Sequence, residues 1–375
     1  MSADKKRVLF WSGSFHPYLG GVETLGGHFL PRMRSLGYDF IVVTTQGEWN
    51  LPLEDEYTGI PVYRFPFWKV MRARDPVGML KLRGQIAALK RSFQPDLVHV
   101  NSLGLSAFFH LLTREAFSCP TLVSVHQDLA EDVNQIGSIQ GDLLRMADLV
   151  TCVSDNAVSR TLIRIPELAE RTVRIYNGLP APQIEPDPLD FTTPTLLCIG
   201  RLVKGKGFDT AIQAIPILLK QFPGITLKIV GDGPERAVLQ ALVEEFALRD
   251  AVRFLDWVAP EKISGVINQS TLVLVPSLSN QETFGLVALE AAQMGRPVVA
   301  SQIGGLPEVV LHEQTGLLVP PGNPATLSHA ILYLLRDQKK AELLGIHARK
   351  RALETFGFDS YIKNNKDLYQ KIFAK

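Results

Sequence analysis

Two glutamates eight residues apart, Glu282 and Glu290, lie in the segment whose residue types indicate chemistry most clearly. The residues from 276 to 301 are predicted to form a strand end, a loop and a helix at 284–294, which Gly295 ends before a further strand. If the whole span between the glutamates were helical, they would lie about 12 Å apart along the axis. That separation suits the two ends of one extended ligand better than a catalytic carboxylate pair, which needs roughly 5–10 Å.

The start of this predicted helix is a candidate phosphate site. The backbone N–H groups of Phe284, Gly285 and Leu286 would have no acceptor inside the helix and would carry the positive end of its dipole. In the alternative interpretation, Glu282 stabilises the helix start through the same dipole and Glu290 is an ordinary surface carboxylate. Residue types alone leave both interpretations open.

Two cations five residues apart form a second candidate group. Arg201 follows a predicted strand, and Lys206 lies in a short loop between Gly205 and Gly207. A guanidinium fork and an ammonium group with so little bulk between them could hold a diphosphate from two sides. The alternative is a pair of solvated charges in a surface turn, which is the usual environment of Lys and Arg.

The first half of the chain offers a histidine at a strand end. His126 follows the predicted strand 121–125, where ligand-binding residues of parallel sheets are found, although a lone histidine is more often a core or surface group. Asp128 could orient His126 or contact a substrate. Gly20 and Gly21 leave the turn before a predicted helix without side chains, so that backbone could approach a ligand closely there.

Two series of short apolar segments alternating with amphipathic helical segments are available to position these residues. The predicted buried parallel strands are 8–11, 40–45, 97–100, 121–125 and 149–153 in the first series, and 195–199, 227–230, 252–255, 271–275 and 297–300 in the second. The pattern predicts an α/β protein of two Rossmann-like domains, with ligands in a cleft between the carboxyl ends of the two sheets.

The length of 375 residues also favours two domains, because single cores rarely grow beyond about 250–300 residues. We expect an N-terminal domain at 1–180, a proline-rich linker at 181–194 and a C-terminal domain at 195–355. The helix predicted at 356–375 could cap the second sheet or cross back to the first domain.

Composition excludes several classes of protein. The chain has 39 Lys and Arg against 38 Asp and Glu, so no overall positive field recruits nucleic acid. Three cysteines without CxxC spacing argue against a disulfide framework or a zinc site and favour the reducing cytoplasm. We expect neither a signal peptide nor a membrane span.

A local excess of positive charge lies between Arg64 and Arg91. Eight cations against Asp75 alone give this stretch a net charge of +7, and aromatic and aliphatic residues are interleaved. The stretch could dock on an anionic membrane surface, which would make the protein peripheral on the inner face of the cell membrane. It could equally be a loop followed by a solvated helix face.

The motifs around these residues, in their order along the chain, resemble those of one enzyme family. Glu282 and Glu290 precede GRPVVAS, and the chain as a whole is similar to the retaining GT-B glycosyltransferases of the large group that includes sucrose synthases and mannosyltransferases. The other segments that resemble the family are HPYLGGVE (16–23), SVHQD (124–128), IYNGLP (175–180), IGRLVKGKGFD (199–209), VGDGPE (230–235), IGGLPEVV (303–310) and TGLLVPPGNP (315–324).

The resemblance implies a GT-B fold and transfer of a sugar from a nucleotide-sugar, such as a UDP- or GDP-sugar, to a glycan, glycolipid or small-molecule acceptor. It implies that Glu290 binds ribose hydroxyls, that Glu282 binds donor sugar hydroxyls, and that Arg201 and Lys206 neutralise the diphosphate. His126 would contact the donor sugar at the reaction centre.

The resemblance implies roles for further residues as well. The family's patterns place donor-binding positions at Gly20, Gly21, Trp257, Val258, Phe284, Gly285 and Leu286, acceptor contacts at His16 and Asp128, and phosphate or base contacts at Gly304 and Gly305. Trp257 departs from the small residue usual at its position.

We expect no metal and no cofactor besides the donor. The chain lacks a DxD motif after a strand, so Arg201, Lys206 and helix amides would stabilise the leaving group alone. The nicotinamide fingerprint GxGxxG is absent after the first strand. Two other functions stay open, namely a sugar-nucleotide epimerase of the same architecture and a catalytically silent nucleotide-sugar-binding protein.

Overall fold

The computed structural model describes residues 5–18, 20–47 and 49–374. Its internal contacts divide the chain into two units, the first formed by Met1–Tyr176 with Tyr361–Lys375 and the second by Asn177–Ser360. Each unit is built on a predominantly parallel sheet, so the prediction of two βα domains is confirmed. Among the described residues, no helix combines the length and apolarity needed to span a membrane.

The first unit alternates strands and helices around one sheet, with short 3-10 turns at Arg114–Ala116 and Pro166–Arg171. Its strands are β1 (Lys6–Trp11), β2 (Tyr38–Thr45), β3 (Glu54–Tyr57), β4 (Ile60–Phe65), β5 (Leu97–Val100), β6 (Thr121–Val125), β7 (Leu149–Cys152) and β8 (Thr172–Arg174). Its helices are α1 (Gly21–Ser35), α2 (Phe67–Arg72), α3 (Pro76–Phe93), α4 (Ala107–Leu112), α5 (Ile139–Met146) and α6 (Asp155–Arg164).

The strand order in this sheet is β3-β4-β2-β1-β5-β6-β7-β8. The chain therefore builds outward from β1 on one side and then resumes beside β1 with β5 on the other. The carboxyl ends of β1 and β5 meet where the order reverses, which is the usual ligand position of an open α/β sheet. Ser12 and Asn101 follow these two strands directly, and both are buried.

Two strands at the β3 edge of this sheet, β3 and β4, were not predicted. β3 pairs antiparallel with β4 at the edge, and its sequence, Glu54 to Tyr57, is acidic and largely exposed. β4 contains Pro61, which is tolerated because it lies next to this edge. Neither sequence has the buried, β-branched pattern by which the central strands were recognised.

The helix α14 (Phe358–Phe373) contributes to the core of the first unit from Tyr361 onward. The ring of Tyr369 is fully buried and packs edge-on against Phe29 and His99. The Tyr369 hydroxyl lies 2.7 Å from His99 Nδ1. Of the two positions considered for this helix, the structure therefore shows packing on the first unit.

The second unit has a parallel sheet of order β11-β10-β9-β12-β13-β14. Its strands are β9 (Thr195–Ile199), β10 (Thr226–Val230), β11 (Val252–Leu255), β12 (Leu272–Val275), β13 (Val298–Ser301) and β14 (Gly316–Val319). Its helices are α7 (Phe208–Leu219), α8 (Arg236–Glu245), α9 (Pro260–Asn268), α10 (Leu286–Gln293), α11 (Leu306–Val309), α12 (Pro324–Arg336) and α13 (Gln338–Thr355). The order reverses between β9 and β12, so the loops after these strands share the predicted ligand edge.

The proline-rich segment predicted as the linker, residues 181–194, falls within the second unit. The guanidinium of Arg296 is buried and donates to the carbonyl oxygen of Asp187 at 2.6 Å. Thr271 Oγ1 donates to the Asp190 carbonyl at 2.6 Å, and Arg349 pairs with Glu185 at 2.9 Å. Prolines prevent regular structure here, yet these contacts fix the backbone on the body of the unit.

Candidate functional site

Lys206 and Glu282 form an ion pair at the ligand edge of the second unit. Lys206 lies in a 3-10 turn after β9, and its ammonium donates to Glu282 Oε2 at 2.7 Å. Ser277 Oγ donates to the same oxygen at 2.9 Å. The structure thus brings together two predicted residues from adjacent strand ends and adds Ser277, which the sequence analysis missed.

The loops that carry this pair are fitted to each other through glycine. Gly207 has a φ of +66°, and a Cβ there would overlap the carbonyl oxygen of Pro276. The amide of Leu278 donates to the Gly205 carbonyl at 2.8 Å. Because neither loop has room to shift toward the other, the ion pair is held at a fixed position relative to the sheet.

Gly304 and Gly305 support the backbone of Glu282. Gly304 has a φ of +57°, and a Cβ at this position would overlap the Glu282 carbonyl oxygen. The amide of Gly305 donates to that same oxygen at 2.9 Å. These contacts give both glycines a structural role in supporting the Glu282 backbone. The approach of Gly304 and Gly305 to phosphates or base, expected from the sequence, stays a prediction.

The helix start at the ligand edge differs from the prediction by two residues. α10 begins at Leu286, with Gly285 at the cap position in a left-handed conformation (φ +97°). Phe284 precedes the helix, is buried, and packs edge-on against Phe356. The first-turn amides are therefore those from Leu286 onward. The condition on which the 12 Å spacing of the two glutamates was based is not met, because residues 276–285 are not helical.

Glu290 lies one turn into α10 and is partly buried. Burial raises the pKa of its carboxyl group to about 7. Among the described residues, none donates a hydrogen bond to this carboxylate. Hydrogen bonds donated to the carboxylate would favour its charged form. A ligand offering hydroxyl groups would supply such donors.

Of the remaining predicted donor-binding residues of the second unit, Arg201 and Trp257 are exposed and Val258 is partly buried. Arg201 follows β9 and Gly200, with its side chain in solvent. Trp257 and Val258 follow β11, and the Trp257 ring is 56% exposed. Their assignment to the diphosphate and the base stays a prediction.

In the first unit His126 is paired with a residue that the sequence analysis did not select. Its ring nitrogen Nε2 lies 3.0 Å from Asn101 Oδ1, which follows β5 at the ligand edge. Since an amide oxygen only accepts hydrogen bonds, Nε2 carries the proton in the neutral ring. Burial lowers the pKa of His126 to about 4, so the imidazole is neutral at physiological pH. The signal for Asn101 was its place directly after a buried strand.

Asp128 pairs with two arginines and not with His126, and its expected contact with the acceptor stays a prediction. Arg160 Nη2 and Nε lie 2.6 and 3.0 Å from the two carboxylate oxygens, and Arg164 Nη1 lies 3.5 Å from Oδ1. Both arginines belong to α6, so the carboxylate ties the loop after β6 to that helix. The ring of His126 is oriented by Asn101 instead.

The glycine-rich loop before α1 is described except for Leu19, which lies outside the described residues. A Cβ at Gly20 would meet Glu23 Oε2, and the same glutamate is in close contact with the Ser14 hydroxyl. Gly21 is the first residue of α1. The His16 carbonyl accepts from Arg64 Nη2 at 2.8 Å, and its acceptor contact stays a prediction.

The basic stretch does not form a single continuous surface. Arg64 is buried, where it pairs with Asp55 at 2.8 Å. Lys90 is buried as well, with its ammonium 2.9 Å from His110 Nδ1, and burial lowers the pKa of Lys90 to about 8. The prediction of eight available cations is wrong for these two, and the other six are exposed.

Within residues 5–18, 20–47 and 49–374, no group of three or more His, Cys, Asp or Glu side chains could hold a metal ion. The three cysteines, Cys119, Cys152 and Cys198, are free thiols.

Two family models match the chain, one for each half. Residues 19–181 match the model described as Glycosyltransferase Family 4, and residues 183–351 match that described as glycosyl transferases group 1. The two matches divide near the boundary between the two units.

Individual relatives match over most of their length. Glycogen synthase of Mycobacterium tuberculosis is 29% identical over 396 residues, which cover 97% of this chain and 94% of the relative. The phosphatidylinositol N-acetylglucosaminyltransferase gpi3 subunit of Schizosaccharomyces pombe is 29% identical, over 88% of this chain and 74% of the relative. The solved structure of sucrose-phosphate synthase from Thermosynechococcus elongatus is 26% identical and superposes with a TM-score of 0.83 over 99% of this chain and 100% of that chain.

Proposed function

Because the chain belongs to the group 1 glycosyltransferases, we propose that it moves a sugar from a nucleotide-sugar to an acceptor hydroxyl with retention of the anomeric configuration. We propose a UDP- or GDP-sugar as donor, bound by the second unit, and a glycan, glycolipid or small molecule as acceptor, bound by the first. The ion pair between Lys206 and Glu282 at the switch point of the second sheet is the observation that carries this proposal.

A diphosphate at this edge would meet three kinds of positive group. The Lys206 ammonium is held by Glu282, whose same carboxylate oxygen also accepts from the Ser277 hydroxyl. The first-turn amides of α10 have no acceptor within the helix, and the Arg201 side chain is exposed to solvent. Negative charge on the diphosphate grows as the glycosidic bond breaks, so fixed donors stabilise the transition state more than the ground state.

Glu282 serves a second purpose in the proposed complex. Its carboxylate is only slightly exposed and already neutralised by Lys206, so it can accept hydrogen bonds from sugar hydroxyls without a large desolvation cost. Glu290 would accept hydrogen bonds from ribose hydroxyls in the same way. Those bonds would favour its charged form over the protonated form that burial favours.

The reaction proposed is a front-face displacement. The acceptor oxygen forms a bond to the anomeric carbon on the side from which the phosphate oxygen departs, and the departing phosphate takes the acceptor's proton. This balances the reaction without a protein nucleophile or a metal. We propose that His126 contributes to the reaction centre as a neutral imidazole, in the tautomer set by Asn101.

For the acceptor we propose a carbohydrate or a lipid-linked compound. The relatives include a glycogen synthase and an enzyme named for phosphatidylinositol, so the family spans both classes. We also propose that part of the basic stretch contacts an anionic membrane surface, with the protein otherwise in the cytoplasm.

Donor binding is tested by thermal unfolding of the full chain with UDP-, GDP- and ADP-sugars, each with EDTA and with magnesium. A true donor at 100 times its Kd stabilises the protein by about 2.7 kcal/mol. The stabilisation should survive EDTA and should be lost in Arg201→Ala and Lys206→Ala. The matched control is Lys204→Ala, an exposed lysine in the same 3-10 turn.

Product analysis completes the test. Transfer with retained configuration supports the proposal, whereas an isomerised sugar from donor alone indicates an epimerase. Binding without transfer or hydrolysis across broad acceptor panels indicates a silent binding protein. An unchanged thermal shift in both variants contradicts the assignment of the diphosphate site.

A further inference from the structure

We propose that α3, together with α2 before it, docks the first unit on an anionic membrane surface. This inference rests on the proposed function, because it specifies where a lipid-linked acceptor would be met. It concerns side chains of the first unit alone, and they differ from the residues assigned to the donor.

The helix α3 is apolar on two opposite faces. Its inner face buries Leu82 and Ile86. Its outer face exposes Val77 and Leu80, which are 75% and 66% exposed, followed at helical spacing by Gly84 and Ala88. A surface helix normally has a polar outer face, so this apolar stripe is available for contact with an apolar partner.

A tryptophan precedes this stripe by nine residues in the sequence. Trp68 is in α2, ahead of the short turn that leads into α3, and is 55% exposed. Its neighbour Phe67 is fully buried, so α2 anchors on one aromatic residue and presents the other. Tryptophan is enriched at membrane interfaces, because its ring is apolar and its N–H group is polar.

Positive side chains accompany the apolar stripe. The six exposed cations of α2, α3 and the turn between them are Lys69, Arg72, Arg74, Lys81, Arg83 and Arg91. Within the described part of the chain none of the six forms an ion pair, and Arg83 donates to the Leu112 carbonyl. The acid between them, Asp75, accepts from the Gly78 amide and caps α3.

This combination identifies an anionic lipid surface as the occupant. A leaflet offers negative headgroups and an apolar layer together, and an amphipathic helix lies in its plane with the apolar face buried by about 5–10 Å. The 18 residues of α3 would cover about 27 Å of that surface. Each cation near an anionic leaflet strengthens binding about fivefold, and Arg64 and Lys90 contribute nothing because they are buried.

The test is co-sedimentation of the full chain with two kinds of vesicle, one of phosphatidylcholine alone and one of phosphatidylcholine mixed with anionic phosphatidylglycerol. Each is measured at low and at high salt. We expect binding to the anionic vesicles at low salt only. Val77→Ser with Leu80→Ser should lower the binding constant at least tenfold, and Lys81→Glu with Arg91→Glu should lower it by at least 25-fold.

The second unit offers matched controls. Leu343 and Ile346 are 50% and 62% exposed on α13, and Lys350 is exposed on the same helix. Leu343→Ser with Ile346→Ser, and Lys350→Glu, should leave vesicle binding unchanged. Because all these positions are exposed, far-ultraviolet circular dichroism and thermal unfolding should show that every variant is folded.

Three results would overturn the proposal. The first is no binding to anionic vesicles at low salt, and the second is an equal loss in the α13 controls. The third is a dimer in sedimentation velocity that the Leu80→Ser variant abolishes, which would assign the stripe to a second copy of the chain. Donor stabilisation, measured in solution on the same variants, separates this failure from a failure of the proposed function.

Discussion

Glu282 Oε2 accepts hydrogen bonds from Lys206 Nζ at 2.7 Å and from Ser277 Oγ at 2.9 Å, so one carboxylate oxygen serves two donors from two loops. This arrangement places a negative group next to the cation that is assigned to the diphosphate. The carboxylate therefore competes with the phosphate for Lys206, and the competition can be measured.

Glu282→Gln should separate product affinity from turnover. Removing the negative charge frees Lys206 for the phosphate, so UDP or GDP alone should bind more tightly. The transfer rate should fall by about 10²-fold, because a neutral amide stabilises less of the charge that develops in the sugar. Calorimetry of the nucleotide and steady-state kinetics check the two effects.

The control for this variant is Ser277→Ala, which removes a hydrogen bond and retains the charge of Glu282. We expect it to leave nucleotide affinity unchanged within a few-fold. Looser nucleotide binding in Glu282→Gln would show that the carboxylate does not compete with the phosphate.

Donor binding should release protons near neutral pH. The pKa of Glu290 is raised to about 7 by burial, so roughly half of the molecules hold a proton there at pH 7. Ribose hydroxyls that donate to this carboxylate would lower its pKa and release that proton. Calorimetry in buffers of different ionisation enthalpy should give about half a proton at pH 7, and none in Glu290→Gln. Release that persists in the variant would assign the proton to another group.

The same carboxyl group should make the ligand-free protein less stable as pH rises. Its folded pKa lies above the ordinary value of 4.5, so between pH 4.5 and 7 the folded state keeps a proton that the unfolded state loses. The free energy of unfolding should fall through this window by about 1–3 kcal/mol and then level off. Glu290→Gln should remove that slope in urea unfolding at several pH values, whereas Glu342→Gln on the exposed face of α13 should retain it.

Asn101→Asp should convert His126 into a group that titrates near neutrality. A carboxylate 3.0 Å from Nε2 favours the charged ring and offsets the burial that lowers its pKa to about 4. Transfer should then fall below about pH 7, because the reaction is assigned to the neutral imidazole. Nuclear magnetic resonance of the His126 ring and a pH–rate profile check this, with the exposed Asn134→Asp as control. An unchanged profile beside a shifted ring pKa would remove His126 from the reaction.

Asp128→Ala should affect stability rather than catalysis. Its carboxylate holds Arg160 through two hydrogen bonds, and the pair is mostly shielded from solvent. We expect a loss of about 1–3 kcal/mol in the free energy of unfolding, with kcat per folded molecule nearly unchanged. Asp132→Ala, an exposed acid in the same loop, should change neither quantity. A large fall in kcat would restore the acceptor role expected from the sequence.

The central strands could be predicted because they are buried on both faces and therefore read as short apolar segments. The central strands Leu97–Val100, Thr121–Val125 and Thr195–Ile199 were predicted at both ends, and so was the edge strand Val252–Leu255. The strands β3, β4 and β8, at or beside a sheet edge, were missed because they are partly exposed and contain charged residues or proline. The edge strand β14 was missed although it is mostly buried. Residues that follow the central strands, such as His126 and Lys206, could be selected for the same reason.

Partners across loops could not be predicted, because they depend on packing between distant segments. Ser277 could not be distinguished from other serines in loops, and Asn101 does not belong to a sequence motif. From the sequence, Asp128 could be a carboxylate that orients His126. The structure shows that it pairs with Arg160 and Arg164. Charge counting failed similarly at Arg64 and Lys90, because net charge per stretch does not reveal which side chains are buried.

The packing of Tyr369 against His99 bears on how the protein folds during synthesis. The second unit is one continuous piece of chain, so it can complete its core while translation is still in progress. The sheet of the first unit leaves the ribosome earlier, yet it lacks the ring that lies against Phe29 and His99 until α14 has been made. The half that is translated first therefore cannot complete its core until the last helix of the chain has been made.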